Sequence, residues 1–393
     1  MKFEKLGSLV NRKIGYGIVQ PGKSTGHGVP VIKVNNIISG LNNRFELDTT
    51  SPEISKKYPR TELLGGELLV SVVGSVGKTA IVPKSFAGCN LVRATAMIDI
   101  QDQRLTWWVK YYIDSPLGQK YITQNLNTTV QPTLNIKSLV DMPIPFYSAS
   151  IMKKTVSILR SIDDKIALNN KINDNLQQQA QAMFQELFID NGDPAWKAGT
   201  ISDLGTVVGG STPSKAKEEY YTDNGIAWIT PKDLSVNKSK FVTHGAIDIT
   251  ELGLKNSSAS IMPEGTVLFS SRAPIGYIAI AGGEVTTNQG FKSVIPKPEV
   301  GTPFVYHVLK HSLPTIEGMA SGSTFKEISG ATMKAVPAFI PDADTLKKFN
   351  SFCTPLFAKQ RILEEENQRL VALRDALLPK LMSGEIDVAD VEI

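Results

Sequence analysis

Two long stretches of the sequence space their apolar residues three and four positions apart, the pattern of helices that pair along a narrow seam. In the first stretch the seam positions are Ile162, Ile166, Asn169, Ile172, Leu176, Ala180, Met183 and Leu187. In the second they are Leu356, Leu363, Leu370 and Leu377, with Asn367 between two of them. This spacing favours a coiled coil over a helix that covers a broad core. We predict a first helix over about residues 151 to 188, roughly 57 Å long, and a second near the end of the chain, with Pro355 at its start or at a kink.

An asparagine interrupts each apolar seam. Asn169 and Asn367 stand where an apolar residue would stabilise the pair more, and a buried asparagine at such a position can fix helix register. The alternative is a tolerated polar residue in a wet part of the seam, and the sequence favours neither.

Outside the helices the pattern is one of short alternating strands, such as 67 to 73 and 265 to 270, separated by clusters of Gly, Pro, Ser and Asn. Each strand-rich block contains one aromatic helix. Trp107, Trp108, Tyr111 and Tyr112 lie at helical spacing and are predicted to be core residues rather than base-stacking groups. The blocks are therefore predicted to be α+β domains.

The chain contains an internal repeat. "GELLVSVVGSVGKTAIV" from Gly66 aligns with "GTVLFSSRAPIGYIAIA" from Gly265, and "VIKVNNI" at 31 to 37 aligns with "WITPKDL" at 228 to 234. Asn90 is aligned with Asn288, and the second long helix is the duplicate of the first. The predicted fold is two tandem α+β domains separated by two long helices packed as an antiparallel coiled coil, with one domain at each end. The predicted segments are domain 1–148, helix 149–190, domain 191–342, helix 343–386 and tail 387–393.

Composition restricts the class of protein only loosely. The 393 residues carry a net charge of +4 with a pI near 8.8, which permits a polyanionic partner. Cys89 and Cys353 are too few for a disulfide framework or a zinc quartet. The N-terminus lacks the apolar core of a signal peptide, and no stretch reaches membrane-spanning length. We expect a cytoplasmic protein with no membrane partner.

No catalytic constellation is found. "GSVGKT" at 74 to 79 resembles a phosphate-binding loop, but Val72 stands where the leading glycine is required, and the second copy has Tyr277 in place of Lys78. A glycine turn between two strands is the better interpretation. His307 and His311 lack a third ligand and are predicted to be a surface or half-buried pair. We therefore expect no enzyme activity, metal or cofactor.

Two similar domains on a stiff spacer suit recognition, because contact at one place raises the effective concentration at a second. "ILRSIDDKIALNNKINDNLQQQAQAMFQELF", "GGSTPS", "SSRAPIG", "TTNQGFKSVIP" and "LRDALLPKLMSGEI" together resemble the specificity subunit of type I restriction-modification systems over essentially the whole chain. The first copy has "NLVR" where the second has "NQGF".

The resemblance implies a non-catalytic subunit with two target recognition domains, each reading one half of a split, asymmetric sequence in double-stranded DNA. It also implies two partner modification subunits, which carry S-adenosylmethionine and methylate adenine. Restriction subunits then complete an ATP-dependent nuclease.

Hydroxyl, amide and cationic groups in the loops are the candidate DNA contacts. In the first copy they are Lys23, Ser24, Lys33, Lys78, Arg93, Thr128, Thr129 and Gln131, and in the second Ser211, Thr212, Ser214, Lys215, Arg272, Asn288, Gln289, Ser323, Thr324 and Lys326. At three places among them the alternatives stay open. The loop at 211 to 215 can be an ordinary solvated turn, Arg272 can read guanine or pair with a carboxylate, and Asn288 can read adenine or serve the scaffold.

Two other functions are also consistent with the sequence. One is a coiled-coil scaffold without sequence-specific DNA binding, and the other is an enzyme whose catalytic residues are not recognisable. Equal binding of random and target DNA would favour the first, and methyl transfer or cleavage by the isolated chain the second.

Overall fold

The structure is a computed structural model that describes residues 2–128, 131–322 and 326–391, with only the backbone of Thr128 included. The chain divides into two compact units. The first unit is Met1–Asp164 with Leu370–Ile393, and the second is Lys165–Arg369.

The first unit combines short strands and short helices. Its strands are β1 Lys2–Lys5, β2 Val10–Tyr16, β3 Val29–Ile32, β4 Thr49–Thr50, β5 Leu68–Ser71, β6 Thr79–Ile81, β7 Asn90–Leu91, β8 Thr95–Ile100, β9 Leu126–Thr128, β10 Pro132–Leu134 and β11 Pro143–Phe146. Its helices are α1 Val34–Ser39, α2 Pro52–Ser55, α3 Thr106–Asp114, α4 Pro116–Gln124 and α5 Ile136–Val140, followed by the long helix α6 Ala149–Phe184. The two larger sheets have the strand orders β2-β8-β5-β6 and β4-β3-β7.

The second unit repeats this plan. Its strands are β12 Lys197–Thr200, β13 Gly205–Gly209, β14 Tyr221–Thr222, β15 Ile226–Ile229, β16 Phe241–Val242, β17 Asp248–Ile249, β18 Val267–Ser271, β19 Ile275–Ala281, β20 Thr286–Thr287, β21 Lys292–Pro296 and β22 Pro337–Ile340. Its helices are α7 Ile201–Leu204, α8 Pro231–Val236, α9 Glu251–Lys255, α10 Thr302–His311, α11 Leu313–Met319 and α12 Gly330–Lys334, followed by the long helix α13 Ala343–Ser383. Its larger sheets have the strand orders β13-β21-β18-β19-β16 and β14-β17-β15-β20.

The internal repeat is confirmed by strand order and by hydrogen bonding. β2-β8-β5-β6 corresponds to β13-β21-β18-β19, and β4-β3-β7 corresponds to β17-β15-β20. The turn after β5 is fixed by Ser71, whose Oγ donates to Ser75 O (2.5 Å) and accepts from Lys78 N (2.8 Å). Ser270 makes the same two bonds after β18, to Pro274 O (2.8 Å) and from Tyr277 N (2.7 Å). "GSVGKT" is thus a turn between two antiparallel strands, as predicted.

Strand register corrects one part of the sequence alignment. β3 pairs Val31 with Asn90, and β15 pairs Trp228 with Thr286. The residue equivalent to Asn90 is therefore Thr286, so its alignment with Asn288 was wrong by two positions. Counting on from these pairs, Arg93 and Gln289 occupy equivalent positions. The error arose because an asparagine near a strand end was matched by identity instead of by its pairing partner.

Each unit has its own apolar core, to which both long helices contribute. In the first unit Leu159 of α6 and Leu381 of α13 join Ile98 and Trp108. In the second unit Phe184 of α6 and Phe349 of α13 join Phe304 of α10. Trp108, Tyr111 and Tyr112 are buried, which confirms their predicted core role, whereas Trp107 is half-buried beside Arg160.

The long helices run antiparallel where they meet within each unit. In the first unit Arg374 Nη1 lies 3.0 Å from Asp163 Oδ1. In the second unit Asn169 Nδ2 donates to Asn367 Oδ1 (2.9 Å), and Gln360 Nε2 donates to Asn173 O (3.1 Å). As residue numbers rise along α6, the numbers of the contacting residues in α13 fall, which is the order expected for antiparallel helices. With the α+β content of both units, this confirms the predicted fold class.

Two local predictions need correction. Helix α13 begins at Ala343 and runs through Pro355, so of the two predicted roles of this proline the helix start is wrong and the kink stays a prediction. His307 is buried against Phe184 and its Nδ1 lies 3.2 Å from Gln181 Oε1, because α10 turns this face toward the core. It is therefore not the surface or half-buried residue that the sequence suggested.

Candidate nucleic-acid interface

Five of the predicted contact residues meet in one open pocket of the second unit. The pocket has a volume of about 810 Å³, and its lining includes Thr212, Lys215, Arg272, Asn288 and Gln289. These residues come from three separate loops, one after β13, one between β18 and β19, and one after β20. Folding therefore gathers cationic, hydroxyl and amide groups on one surface.

The loop after β13 is held in place by hydrogen bonds from the sheet. Ser211 N donates to Thr287 O (2.9 Å), Trp228 Nε1 donates to Ser211 O (3.0 Å), and Tyr221 Oη donates to Pro213 O (2.6 Å). Gly210 permits the approach, because a Cβ there would lie 2.0 Å from Asn288 O. The loop is thus held in a fixed conformation by the sheet, while its tip at Ser214 and Lys215 stays exposed.

The amide side chains after β20 are partly committed to the protein. Asn288 Oδ1 accepts from Gly290 N (2.9 Å), and Gln289 Oε1 accepts from Thr212 Oγ1. The first contact supports a turn-forming role for Asn288. Gln289 is exposed, and its contact with Thr212 joins two of the loops that line the pocket.

A capping box that the sequence analysis did not single out forms another wall. Asp233 accepts from Thr230 N (2.7 Å), Thr230 Oγ1 (2.6 Å) and Ala246 N (2.9 Å), so its carboxylate is well satisfied. Lys232 lies between them, exposed, and has no salt-bridge partner within the described ranges. The sequence "TPKD" at 230 to 233 indicates this capping box, because it has Thr at the N-cap and Asp three positions later.

A cluster of three charges lies at the turn after β18. Arg272 Nη1 is 3.3 Å from Glu327 Oε2, and Lys292 Nζ is 3.8 Å from Glu327 Oε1. Burial lowers the pKa of Lys292 from its usual value, with Glu327 opposing this effect. Sequence reasoning missed Glu327 and Lys292, although it left open that Arg272 pairs with a carboxylate.

The remaining predicted residues of the second unit are not in this pocket. Ser214 and Lys326 are exposed and Ser211 is half-buried, while Ser323 and Thr324 lie outside the described residues. The pocket thus rests on residues of three loops and the start of α8.

The first unit shows no comparable convergence among its described residues. Lys33 Nζ pairs with Asp48 Oδ2 at 2.5 Å, and Ser24 Oγ accepts from Thr49 N (3.0 Å). Lys23 lines a smaller pocket of about 440 Å³. Lys78, Arg93 and Gln131 are exposed, while the Thr128 side chain and Thr129 lie outside the described residues.

The second unit's pocket combines charged and hydrogen-bonding groups with an apolar wall that includes Trp228, Pro231 and Ile247. Lys215, Lys232 and Arg272 supply positive charge, and Thr212 and Gln289 supply donors and acceptors suited to base edges and phosphates. Within the described ranges no group of three His, Cys, Asp or Glu residues could hold a metal ion. In the same ranges, every helix is too short or too polar to cross a membrane.

Comparison with known proteins identifies a family over most of the chain. Residues 1–178 and 194–372 match the family described as "Type I restriction modification DNA specificity domain". The MjaIX specificity subunit of a type I restriction enzyme from Methanocaldococcus jannaschii is 41% identical over 167 residues, which are 42% of this chain and 38% of that relative. The HindI specificity subunit from Haemophilus influenzae is 24% identical over 331 residues, 65% of this chain and 71% of that relative.

A solved structure has the same fold. The crystal structure of the S subunit of a type I restriction-modification system from M. genitalium aligns with a TM-score of 0.58 at 17% identity. The alignment covers 97% of this chain and 95% of that one.

Proposed function

The chain belongs to the family of type I restriction modification DNA specificity domain proteins, and we propose that it is the non-catalytic subunit that recognises the DNA sequence in a type I restriction-modification complex. The family resemblance noted in the sequence is thereby confirmed. The observation that carries the proposed DNA contact is the convergence of Thr212, Lys215, Arg272 and Gln289 on one preorganised, cation-bearing pocket.

The duplicated architecture supports a target in two parts. Segments 1–148 and 191–342 would each read one half-site in the major groove of double-stranded DNA. The two units share strand order but differ at the loops, as in the equivalent pair Arg93 and Gln289. Because different side chains at equivalent positions prefer different bases, the target would be asymmetric.

The long helices support the proposed assembly. Two modification subunits would dock on α6 and α13, and restriction subunits would complete the nuclease. The lengths of these helices, 36 and 41 residues, would set the unspecified gap between half-sites. We place this activity in the cytoplasm, in keeping with free, buried Cys89 and Cys353.

Sequencing of methylated adenines in the host, with and without this gene, tests the proposal. We expect one split sequence motif to lose its methylation when the gene is deleted. Replacing residues 1–148 with the corresponding domain of another family member should change only one half of that motif.

Three results would contradict this proposal. An unchanged methylation pattern in the deletion strain would remove the link to the modification complex. Equal affinity of the assembled complex for random and motif-bearing duplexes at physiological salt would favour a scaffold. Methyl transfer or cleavage by the isolated chain would favour an enzyme.

A further inference from the structure

Comparison of equivalent positions in the two units shows which residues the shared fold requires and which differ between the units. In the first unit Val73 bridges Thr133, and Leu134 N donates to Val72 O (2.9 Å). In the second unit Ile328 N donates to Ser271 O (3.0 Å). Leu134 and Ile328 are thus equivalent, and so are the residues just before them, Thr133 and Glu327.

The same counting finds the equivalents of the two cations near Glu327. Val73 and Arg272 each stand two residues beyond the turn serines Ser71 and Ser270. The spacing from the end of β20 to Lys292 equals the spacing from the end of β7 to Ala96, so these two residues are equivalent. The first unit therefore has Val73, Thr133 and Ala96 where the second has Arg272, Glu327 and Lys292. Since the same backbone forms without these charges, the fold does not require them.

The backbone under Glu327 is fixed. Glu327 N donates to Ser321 O (2.9 Å), Ser321 N donates to Glu327 O (3.2 Å), and the following Ile328 is buried. Glu327 thus sits at a fixed place beside the turn that carries Arg272. Its side chain is 37% exposed, so the pair contributes little to stability.

Glu327 occupies one edge of the Arg272 guanidinium and leaves the rest open. Only Nη1 of Arg272 has a hydrogen bond among the described residues, to Glu327. Nε and Nη2 remain as donors on a side chain that lines the pocket. An arginine held at one edge offers a planar pair of donors, the arrangement that guanine accepts through O6 and N7.

We infer that Arg272 reads a guanine in the half-site of the second unit and that Glu327 is the positioning residue that makes this contact selective. Glu327 orients the guanidinium toward the base edge. Its negative charge also offsets Arg272 and Lys292, so that the turn does not hold phosphates of any sequence. This inference rests on the proposed function, since it assigns specificity within the same DNA contact.

The first unit supplies the matched replacement for a test. The full chain would be assembled with its modification subunits, and bound duplexes would be selected from a library with a randomised segment and sequenced. For the triple variant Arg272→Val, Glu327→Thr, Lys292→Ala, we expect about a tenfold loss of preference for one G·C pair, with the other half-site unchanged. All three replacements stand at the equivalent positions of the first unit, so the strands should form. An unchanged preference at every position of the second half-site would overturn the assignment of Arg272.

Glu327→Gln isolates the positioning role, because it keeps the size of the side chain and removes its charge. We expect about a fivefold loss of preference at the same base pair, random duplex bound as tightly or more tightly, and a salt dependence steeper by about one ion. Equal weakening of target and random duplexes, or an unchanged preference, would overturn the role of Glu327. Glu299→Gln, an exposed carboxylate beyond the opposite end of β21, removes the same charge and should behave as the unmodified chain.

The unmodified complex distinguishes failure of the proposed function from failure of the roles assigned to Arg272 and Glu327. If it selects no sequence from the library, the proposed function itself fails. If it selects a split motif and the Glu327 and Arg272 variants select it equally well, only the present inference fails.

Discussion

Lys240 shows how a single residue links the second unit's sheet to α13. Its side chain is buried, with Nζ donating to Gln360 Oε1 (2.6 Å) and lying 3.8 Å from the centroid of the Phe357 ring. Burial lowers the pKa of Lys240 to about 7, with Glu364 opposing and Lys310 reinforcing the shift. The backbone N–H groups of Lys240 and Phe241 donate to the Glu364 carboxylate at 2.9 and 3.0 Å. A lysine that loses its proton near neutral pH thus lies in the contact between α13 and the sheet.

The lowered pKa of Lys240 predicts how stability depends on pH. Between pH 7 and the ordinary lysine pKa of 10.5, the unfolded chain binds a proton that the folded chain does not. The free energy of unfolding should therefore rise with pH across this window. In Lys240→Met we expect a smaller rise between pH 7 and 9, measured by urea unfolding.

Lys292 and Lys310 also have a lowered pKa. They contribute to the rise of the unfolding free energy with pH in both the unmodified chain and the Lys240→Met variant. The informative quantity is therefore the difference between the unmodified chain and the variant. Lys255→Met removes an exposed lysine of α9 as a control. If the Lys240→Met difference does not change with pH, this account of Lys240 is wrong.

Between the two long helices, a short polar network interrupts the apolar seam. Asn169 is fully buried, and its Nδ2 donates to Asn367 Oδ1 and to Glu366 Oε2, both at 2.9 Å. Asn367 Nδ2 in turn donates to Asn170 Oδ1 (2.8 Å). Both seam asparagines thus bond across the helix pair, which is compatible with the proposed role in register.

A double-mutant cycle measures the coupling between the seam asparagines. We expect Asn169→Ala to cost about 1–2 kcal/mol, because Asn367 Oδ1 loses its donor in a half-buried place. Asn169→Ala with Asn367→Ala should cost less than the sum of the single changes by about 1 kcal/mol. Urea unfolding of the four proteins gives the coupling.

The matched control is a pair on the outer face of α6. Asn175 and Gln179 are exposed and joined by a 2.6 Å hydrogen bond one turn apart, so their coupling should be about 0.2–0.5 kcal/mol. If the stability losses of the two single variants at Asn169 and Asn367 simply add, these residues are tolerated polar groups and do not fix the helix register.

On the scale of the whole molecule, the chain is one structural plan used twice, with each copy ending in a long helix. The helices are matched residue by residue, since Asp163 meets Arg374 in the first unit and Asn169 meets Asn367 in the second. Extending one helix alone would displace every later pair. A test of the proposed spacing role therefore has to extend both.

Inserting seven residues between 164 and 165 of α6 and seven between 369 and 370 of α13 keeps the heptad seam. Each helix lengthens by about 10 Å, close to three base-pair rises. We expect the unspecified gap of the methylated motif to lengthen by about three base pairs while both half-sites stay the same. An unchanged gap in a stable double insertion would refute the spacing role. Insertion into α6 alone is the control and should impair assembly.

The sequence alone determined the features that depend on local pattern. The apolar spacing gave the two long helices, the alternating strands gave the α+β blocks, and the similarity of the segments from Gly66 and Gly265 gave the repeat. These features follow from short-range periodicity and turn chemistry, which a single chain displays directly. Part of the candidate site was also found this way, because Thr212, Lys215 and Gln289 stand in loops with an evident donor-rich composition.

Only the tertiary structure decided which residues share a surface. Strand register replaced the match of Asn90 and Asn288, and α10 buried His307 within an apolar run that packs on both sides of it in the sequence. Arg272 and Glu327 are 55 residues apart, and Lys292 joins them from a third segment. Such pairs depend on the register between strands that are distant in the sequence. Because burial of one face of each strand fixes that register, local periodicity does not reveal the pairs.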